Sequence, residues 1–158
     1  MKLLSKKARG FTLIEILVVI GIIAILAAIV IVAINPAKQF AQARNTTREA
    51  SVNTVLNAIG QRTADNKGVF DGSLGGVTCP VIPVSATSSA PNIGTGGLDL
   101  TCLTPTYIPT GLPLDPTGGT TANTQYTASA DAVGRITICA PNHAETAVPG
   151  SQAYCLTR

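Results

Sequence analysis

The chain has few of the side chains that most catalytic and nucleic-acid-binding sites require. Among its 158 residues are no tryptophan, three phenylalanines, three tyrosines and one histidine. Binding of single-stranded nucleic acid uses aromatic rings on which bases stack, and these are scarce here. A zinc site is not expected either, because a single histidine and no Cys-x-x-Cys spacing are present. We also find no nucleophile elbow and no phosphate-binding loop, so the sequence predicts no enzyme.

Charge is also scarce, at 12% of residues, and it is unevenly placed. Four basic residues precede Gly10 with no acidic residue among them, namely Lys2, Lys6, Lys7 and Arg9. From Phe11 onward, seven basic and eight acidic residues give a net charge of −1. The overall charge of +3 therefore belongs to the first ten residues.

One long apolar run follows this basic start. Residues 16–34 carry no charge, and as a helix they would cover roughly 28 Å, about the thickness of a bilayer core. The preceding positive charges predict a cytoplasmic N-terminus and a C-terminal part across the membrane. A cleaved secretory signal has a shorter apolar core than this run. Among the simple explanations of the run, a plain single-span membrane anchor therefore fits better than a secretory signal. Glu15 is the exception, because a carboxylate at the mouth of a membrane segment is costly and marks a candidate functional residue.

A second helix is predicted after the apolar run. Pro36 disfavours helix at Asn35 and removes a hydrogen bond, so we expect a kink or a local unwinding there. The alternative is that Pro36 ends the membrane helix. Residues 37–66 then show one apolar stripe with spacings of 3, 4 and 7, formed by Phe40, Val52, Val55, Leu56 and Ile59. Asn66-Lys67-Gly68 supplies a C-terminal stop.

The remainder predicts a small, loop-rich head. Gly, Pro, Ser and Thr dominate residues 72–123, with short strands at best at 81–84 and 106–108. Two β-prone runs, 125–130 and 135–140, are joined by four turn residues and predict a hairpin. The tail from residue 141 reads as irregular. The fold class is therefore α+β, a long N-terminal helix followed by a head with a short antiparallel sheet.

All four cysteines lie after the apolar run, where an oxidising compartment allows disulfides. They permit three pairings. We expect the pairs nearest in sequence, Cys79 with Cys102 and Cys139 with Cys155, each contributing about 3 kcal/mol in the chain-entropy model. Free thiols in a reducing compartment are the alternative.

Residues 7–20, KARGFTLIEILVVI, resemble the N-terminus of type IV pilins and of the related pseudopilins of type II secretion. The resemblance extends from about Lys6 to Ala28. It implies that a prepilin peptidase cuts after Gly10, that Phe11 becomes an N-methylated first residue, and that an ATPase-driven machine assembles a helical filament. Pilins of this family usually carry a proline near the position of Val32, so the kink is shifted here.

The resemblance also suggests a role for Glu15. Cleavage would expose a cationic amine at Phe11, and the carboxylate of an incoming subunit could pair with the amine of its neighbour. Such a pair depends on register, so it specifies stacking more than it stabilises. The resulting regions are a leader at 1–10, an assembly helix at 11–34, an amphipathic helix at 35–68 and the head at 69–158, as in the pilin fold.

A weaker resemblance covers residues 107–145. Pro113-Leu114-Asp115-Pro116 with Tyr126 is similar to the head of G-type major pseudopilins. A nearby loop in those proteins can hold calcium, but here Asp115, Asp131 and Glu145 are scattered in sequence. We expect no cofactor, with calcium a minor possibility.

Two questions of function stay open at this point. The main hypothesis is a filament subunit of a type IV pilus, anchored in the inner membrane before assembly and extracellular afterwards. The alternatives are a pseudopilin of a secretion system and a membrane-anchored extracytoplasmic binding protein that does not polymerise. The basic residues of the second helix are either a solvated face or a surface that meets acidic heads of neighbouring subunits.

Overall fold

The computed structural model describes residues 10–158, except for the side chain of Ser88. Two helices come first, α1 at Leu13–Ile34 and α2 at Pro36–Asp65. Five short strands follow: β1 Gly72–Leu74, β2 Val77–Cys79, β3 Thr127–Ala130, β4 Ile136–Ala140 and β5 Tyr154–Thr157. The predicted α+β class is confirmed. The chain divides into two compact units, one ending at Gln39 and the other formed by Phe40–Arg158. The predicted leader, including Lys2, Lys6, Lys7 and Arg9, lies outside the described residues except for Gly10.

The first unit is dominated by α1. This helix has 22 residues, which corresponds to about 33 Å and matches the hydrocarbon thickness of a bilayer. None of its residues is buried within the chain, and each of its large hydrophobic side chains is about half exposed or more. A helix that is apolar all round is typical of a segment that lies in an apolar surrounding such as a membrane.

Between the helices, the helical backbone is interrupted for one residue. Asn35 adopts a left-handed conformation with φ 48° and closes α1. Its carbonyl oxygen accepts hydrogen bonds from the backbone N–H groups of Lys38 and Gln39, so it also begins α2. Pro36 occupies the first position of α2, where its missing N–H would have no partner in any case.

In the second unit, α2 lies on one side of the core. The predicted stripe is confirmed for Val52, Val55, Leu56 and Ile59, which are at most 2% exposed. It is wrong for Phe40, which is 67% exposed, because Phe40 lies about 100° around the helix from the covered residue Ala41. The helix ends in the predicted stop, where Lys67 and Gly68 both have positive φ.

The strands form two antiparallel sheets. The predicted hairpin is confirmed as β3 and β4, and β5 pairs with the other side of β4. The prediction of an irregular tail is therefore wrong for β5, Tyr154–Thr157. A second hairpin, β1 with β2, was missed, although its Gly75-Gly76 turn is a known hairpin signal. Residues 81–84 and 106–108 form no strand, since nearby prolines lack the N–H groups that a ladder needs.

Two disulfides fasten this small head. Cys79–Cys102 joins β2 to a short 3₁₀-helix at Thr101–Leu103. Cys139–Cys155 joins two directly opposed residues of β4 and β5. These are the pairs nearest in sequence. The buried core that they frame includes Leu100, Leu103, Tyr126 and Ile138 in addition to the stripe of α2.

Candidate functional site

Glu15 is held at the start of α1 by a capping box with Thr12. The backbone N–H and the hydroxyl of Thr12 both donate to Oε2 of Glu15, at 2.8 and 2.7 Å. In return, the backbone N–H of Glu15 donates to the Thr12 hydroxyl at 3.3 Å. The Thr-x-x-Glu spacing is the sequence signature of this motif, so Thr12 could have been identified beforehand. The carboxylate is thus already hydrogen-bonded within its own subunit, which lowers the desolvation cost that the sequence alone suggested.

Gly10 and Phe11 lie immediately before this cap. A Cβ atom built on Gly10 would meet no other atom within 4 Å, so packing in the described chain does not explain a glycine at this position. Phe11 is 80% exposed. Both residues are exposed and lie outside regular structure.

Two carboxylates of the head, Asp115 and Glu145, converge on Arg48 of α2. Its guanidinium contacts Asp115 through two nitrogens, with Nε–Oδ2 at 2.7 Å and Nη2–Oδ1 at 3.1 Å. Its Nη1 donates to Oε1 of Glu145 at 2.6 Å. Arg44 binds the same carboxylate of Glu145 through Nε and Nη2, at 2.7 and 2.8 Å. We call these four residues the ion cluster.

Three of the four side chains of the ion cluster are largely shielded from water, and that of Arg44 is 33% exposed. The side chains of Arg48 and Asp115 are 1% and 0% exposed, and that of Glu145 is 15% exposed. Burial raises the pKa of Asp115, but hydrogen bonds from Arg48 and Thr117 outweigh it and hold that pKa at about 2. Hydrogen bonds from Arg44 and Arg48 lower the pKa of Glu145 to about 2 as well. Both carboxylates therefore stay ionised and tie two loops to α2.

Arg62 is a second buried arginine on α2. It is 1% exposed and donates to three backbone carbonyl oxygens, those of Phe70, Gly72 and Val77, at 2.8–3.2 Å. This arginine fixes the β1–β2 hairpin to the helix through neutral acceptors.

Two of the basic residues of α2 therefore do not lie on a solvated face. That interpretation is wrong for Arg48 and Arg62, whereas Lys67 beyond the helix is exposed. The alternative, pairing with acidic heads of neighbours, is also not available to Arg48, because its acidic partners Asp115 and Glu145 belong to the same chain.

The three carboxylates considered for calcium are each paired with a guanidinium. Asp131, the third of them, binds Arg135 at the turn of the β3–β4 hairpin, with Nε–Oδ2 at 2.7 Å. Within residues 10–158, no group of three or more His, Cys, Asp or Glu side chains is close enough to hold a metal ion.

Comparison with known protein families identifies the N-terminal segment. Residues 5–31 match the model described as the prokaryotic N-terminal methylation motif. Searches of curated proteins and of solved structures found no significant match. The motif is typical of structural rather than catalytic proteins, and with the apolar α1 it indicates membrane anchoring before assembly. Together, the motif, the apolar helix and the disulfide-bonded α+β head support a type IV pilin-like or pseudopilin-like protein.

Proposed function

We propose that this protein is the structural subunit of a type IV pilus or pilus-like filament. The observation that carries the proposal is the methylation motif at residues 5–31. It overlaps a membrane-length helix whose large apolar side chains are about half exposed or more. The same apolar surface suits two surroundings in turn, lipid before assembly and the helices of other subunits afterwards.

Processing comes first in this proposal. A prepilin peptidase cuts after Gly10 and removes the four basic residues of the leader. The new N-terminus is the amine of Phe11, which is then N-methylated. An α-amine is mostly cationic at neutral pH, so cleavage replaces a basic leader by a single charge one residue before the Thr12 cap.

Pairing between subunits follows. Both hydrogen bonds that Glu15 accepts in the described chain go to Oε2. The carboxylate is therefore held towards the N-terminal end of α1 with a further oxygen available. In the filament, this oxygen binds the Phe11 amine of a neighbouring subunit. A buried ion pair of this kind fixes register, because any slip leaves both charges without a partner.

A pseudopilin of type II secretion is the second candidate. The observation that favours it lies in the head, where the similarity to G-type pseudopilins covers Asp115, Pro116 and Tyr126. Asp115 and Tyr126 are both buried, so the residues of this similarity contribute to the fold of the head. A membrane-anchored binding protein that stays monomeric is the remaining alternative, and it would need none of the processing described above.

The mass of the assembled subunit tests the processing step. In filaments sheared from cells, we expect an intact mass for a chain that begins at N-methylated Phe11 and contains two disulfides. A Gly10→Val variant should remain at its full length in the membrane and be absent from filaments, because the cut is lost while the local fold has room for the side chain. Gly21→Ala, at a position with equal room within the subunit, is the processing control and should still be cut. Assembled subunits that still begin at Met1 would refute the proposal.

A further inference from the structure

The segment between β4 and β5, residues 141–153, lies against α2. We call it the strap, and the Cys139–Cys155 disulfide joins the two strands that flank it. Polar contacts connect it to α2. Nδ2 of Asn45 donates to the carbonyl oxygen of His143 at 2.9 Å, and Glu145 of the strap belongs to the ion cluster.

His143 occupies a bridging position in this contact. Its Nε2 lies 3.0 Å from Oε1 of Glu49 on α2. Its Nδ1 lies 2.8 Å from the carbonyl oxygen of Gln152 at the other end of the strap. The imidazole is 16% exposed and the Glu49 side chain 46% exposed. One ring thus connects the helix with both ends of the strap.

Both partners of the ring are hydrogen-bond acceptors. A carboxylate and a backbone carbonyl can only accept, whereas a neutral imidazole carries one N–H and an imidazolium carries two. A neutral ring therefore leaves one of these contacts without a donor. We propose that His143 is a proton-dependent clasp, which holds the strap on α2 when the ring is protonated and loosens it when the ring is neutral.

The charges around the ring are consistent with this assignment. From α2, the ring faces the carboxylate of Glu49, while Arg44 and Arg48 are bound to Glu145. From β5, it faces the aromatic ring of Tyr154, with ring centroids 5.6 Å apart. The nearest group with a full charge is thus an acceptor for the imidazolium. The inference concerns α2 and the head, and it holds whether or not the protein forms filaments.

The experiment is hydrogen exchange on the full-length chain in detergent micelles, at about pH 5.5 and about pH 8, with rates corrected for intrinsic exchange. Imidazoles change charge between these values, and His143 is the only histidine in the chain. We expect the protection of peptides covering residues 141–153 to fall by about threefold at the higher pH, as suits one partly exposed ion pair. Peptides of β1 and β2 should show no comparable change.

Two variants and one control make the test specific. His143→Gln removes the imidazole and should abolish the pH dependence. Glu49→Gln keeps the histidine, but its amide N–H can donate to Nε2 of the neutral ring, so the strap should be held equally at both pH values. Asp131→Asn, which breaks a remote surface pair, should behave as the wild type. Protection that does not depend on pH in the wild type, or a dependence retained in Glu49→Gln, would overturn the clasp.

Discussion

Replacing Glu15 by glutamine should abolish filaments while leaving the cleaved subunit in the membrane. Glutamine keeps the size of the side chain and an oxygen that can accept from the backbone N–H of Thr12, so the cap of α1 survives. Only the charge is removed. Insertion into the bilayer should become easier, because up to about 3 kcal/mol of cost for a charge in the membrane disappears. Cleavage depends on the residues around Gly10 and should continue.

Glu15→Ala separates the two roles of this side chain. Alanine removes the charge and also the two capping bonds that the carboxylate accepts from Thr12, so it should weaken the start of α1 by about 1 kcal/mol in addition to blocking assembly. Filament yield after shearing, seen by electron microscopy, is compared with an immunoblot of the cleaved membrane pool. A plain membrane anchor predicts no effect from either change. Normal filaments from both variants would show that Glu15 has no pairing role.

Arg48→Ala is the substitution in the second unit, Phe40–Arg158, for which we expect the largest effect. It leaves the buried carboxylate of Asp115 without its guanidinium partner and removes one of the two arginines that bind Glu145. Breaking one side of a buried ion pair typically destabilises by about 3–5 kcal/mol. For a small head held by two disulfides, this should appear as a large drop in unfolding temperature and in the amount of assembled protein.

Arg135→Ala is a matched control for this experiment. Arg135 and Asp131 form an Nε–Oδ2 contact of 2.7 Å, the same atoms and distance as Arg48 and Asp115. The pairs differ in burial, since Arg135 and Asp131 are 67% and 30% exposed. An exposed pair contributes about 0–1 kcal/mol, so thermal unfolding should be nearly unchanged. Equal losses in the two variants would mean that burial does not determine the strength of the ion cluster.

The parts of the fold that the sequence predicted depend on local patterns. The apolar run, the stripe Val52–Ile59 of α2 and the β3–β4 hairpin each lie within a short window, where residue spacing decides which side chains share a face. The candidate residues Gly10, Phe11 and Glu15 were found in the same way, from one motif. Thr12 was overlooked although its capping signature is equally local.

The parts that were missed depend on contacts distant in sequence. Arg48 reaches Asp115 over 67 residues and Glu145 over 97. The residues next to Arg48 in the sequence do not indicate that its side chain is buried. The sequence therefore allowed the basic residues of this helix to be interpreted as a solvated face. The same holds for β5, which pairs with β4 across the strap, and for His143, whose partner Glu49 lies 94 residues away. Local spacing contains no information on such pairings.

The most direct test of the account is the structure of the assembled filament by cryo-electron microscopy. We predict that the subunits begin at Phe11 and that the α1 helices pack together in the centre. The Glu15 carboxylate of one subunit should lie about 3 Å from the Phe11 nitrogen of a neighbour. Filaments in which Glu15 contacts only Thr12 of its own subunit, with every Phe11 amine elsewhere, would contradict the central claim.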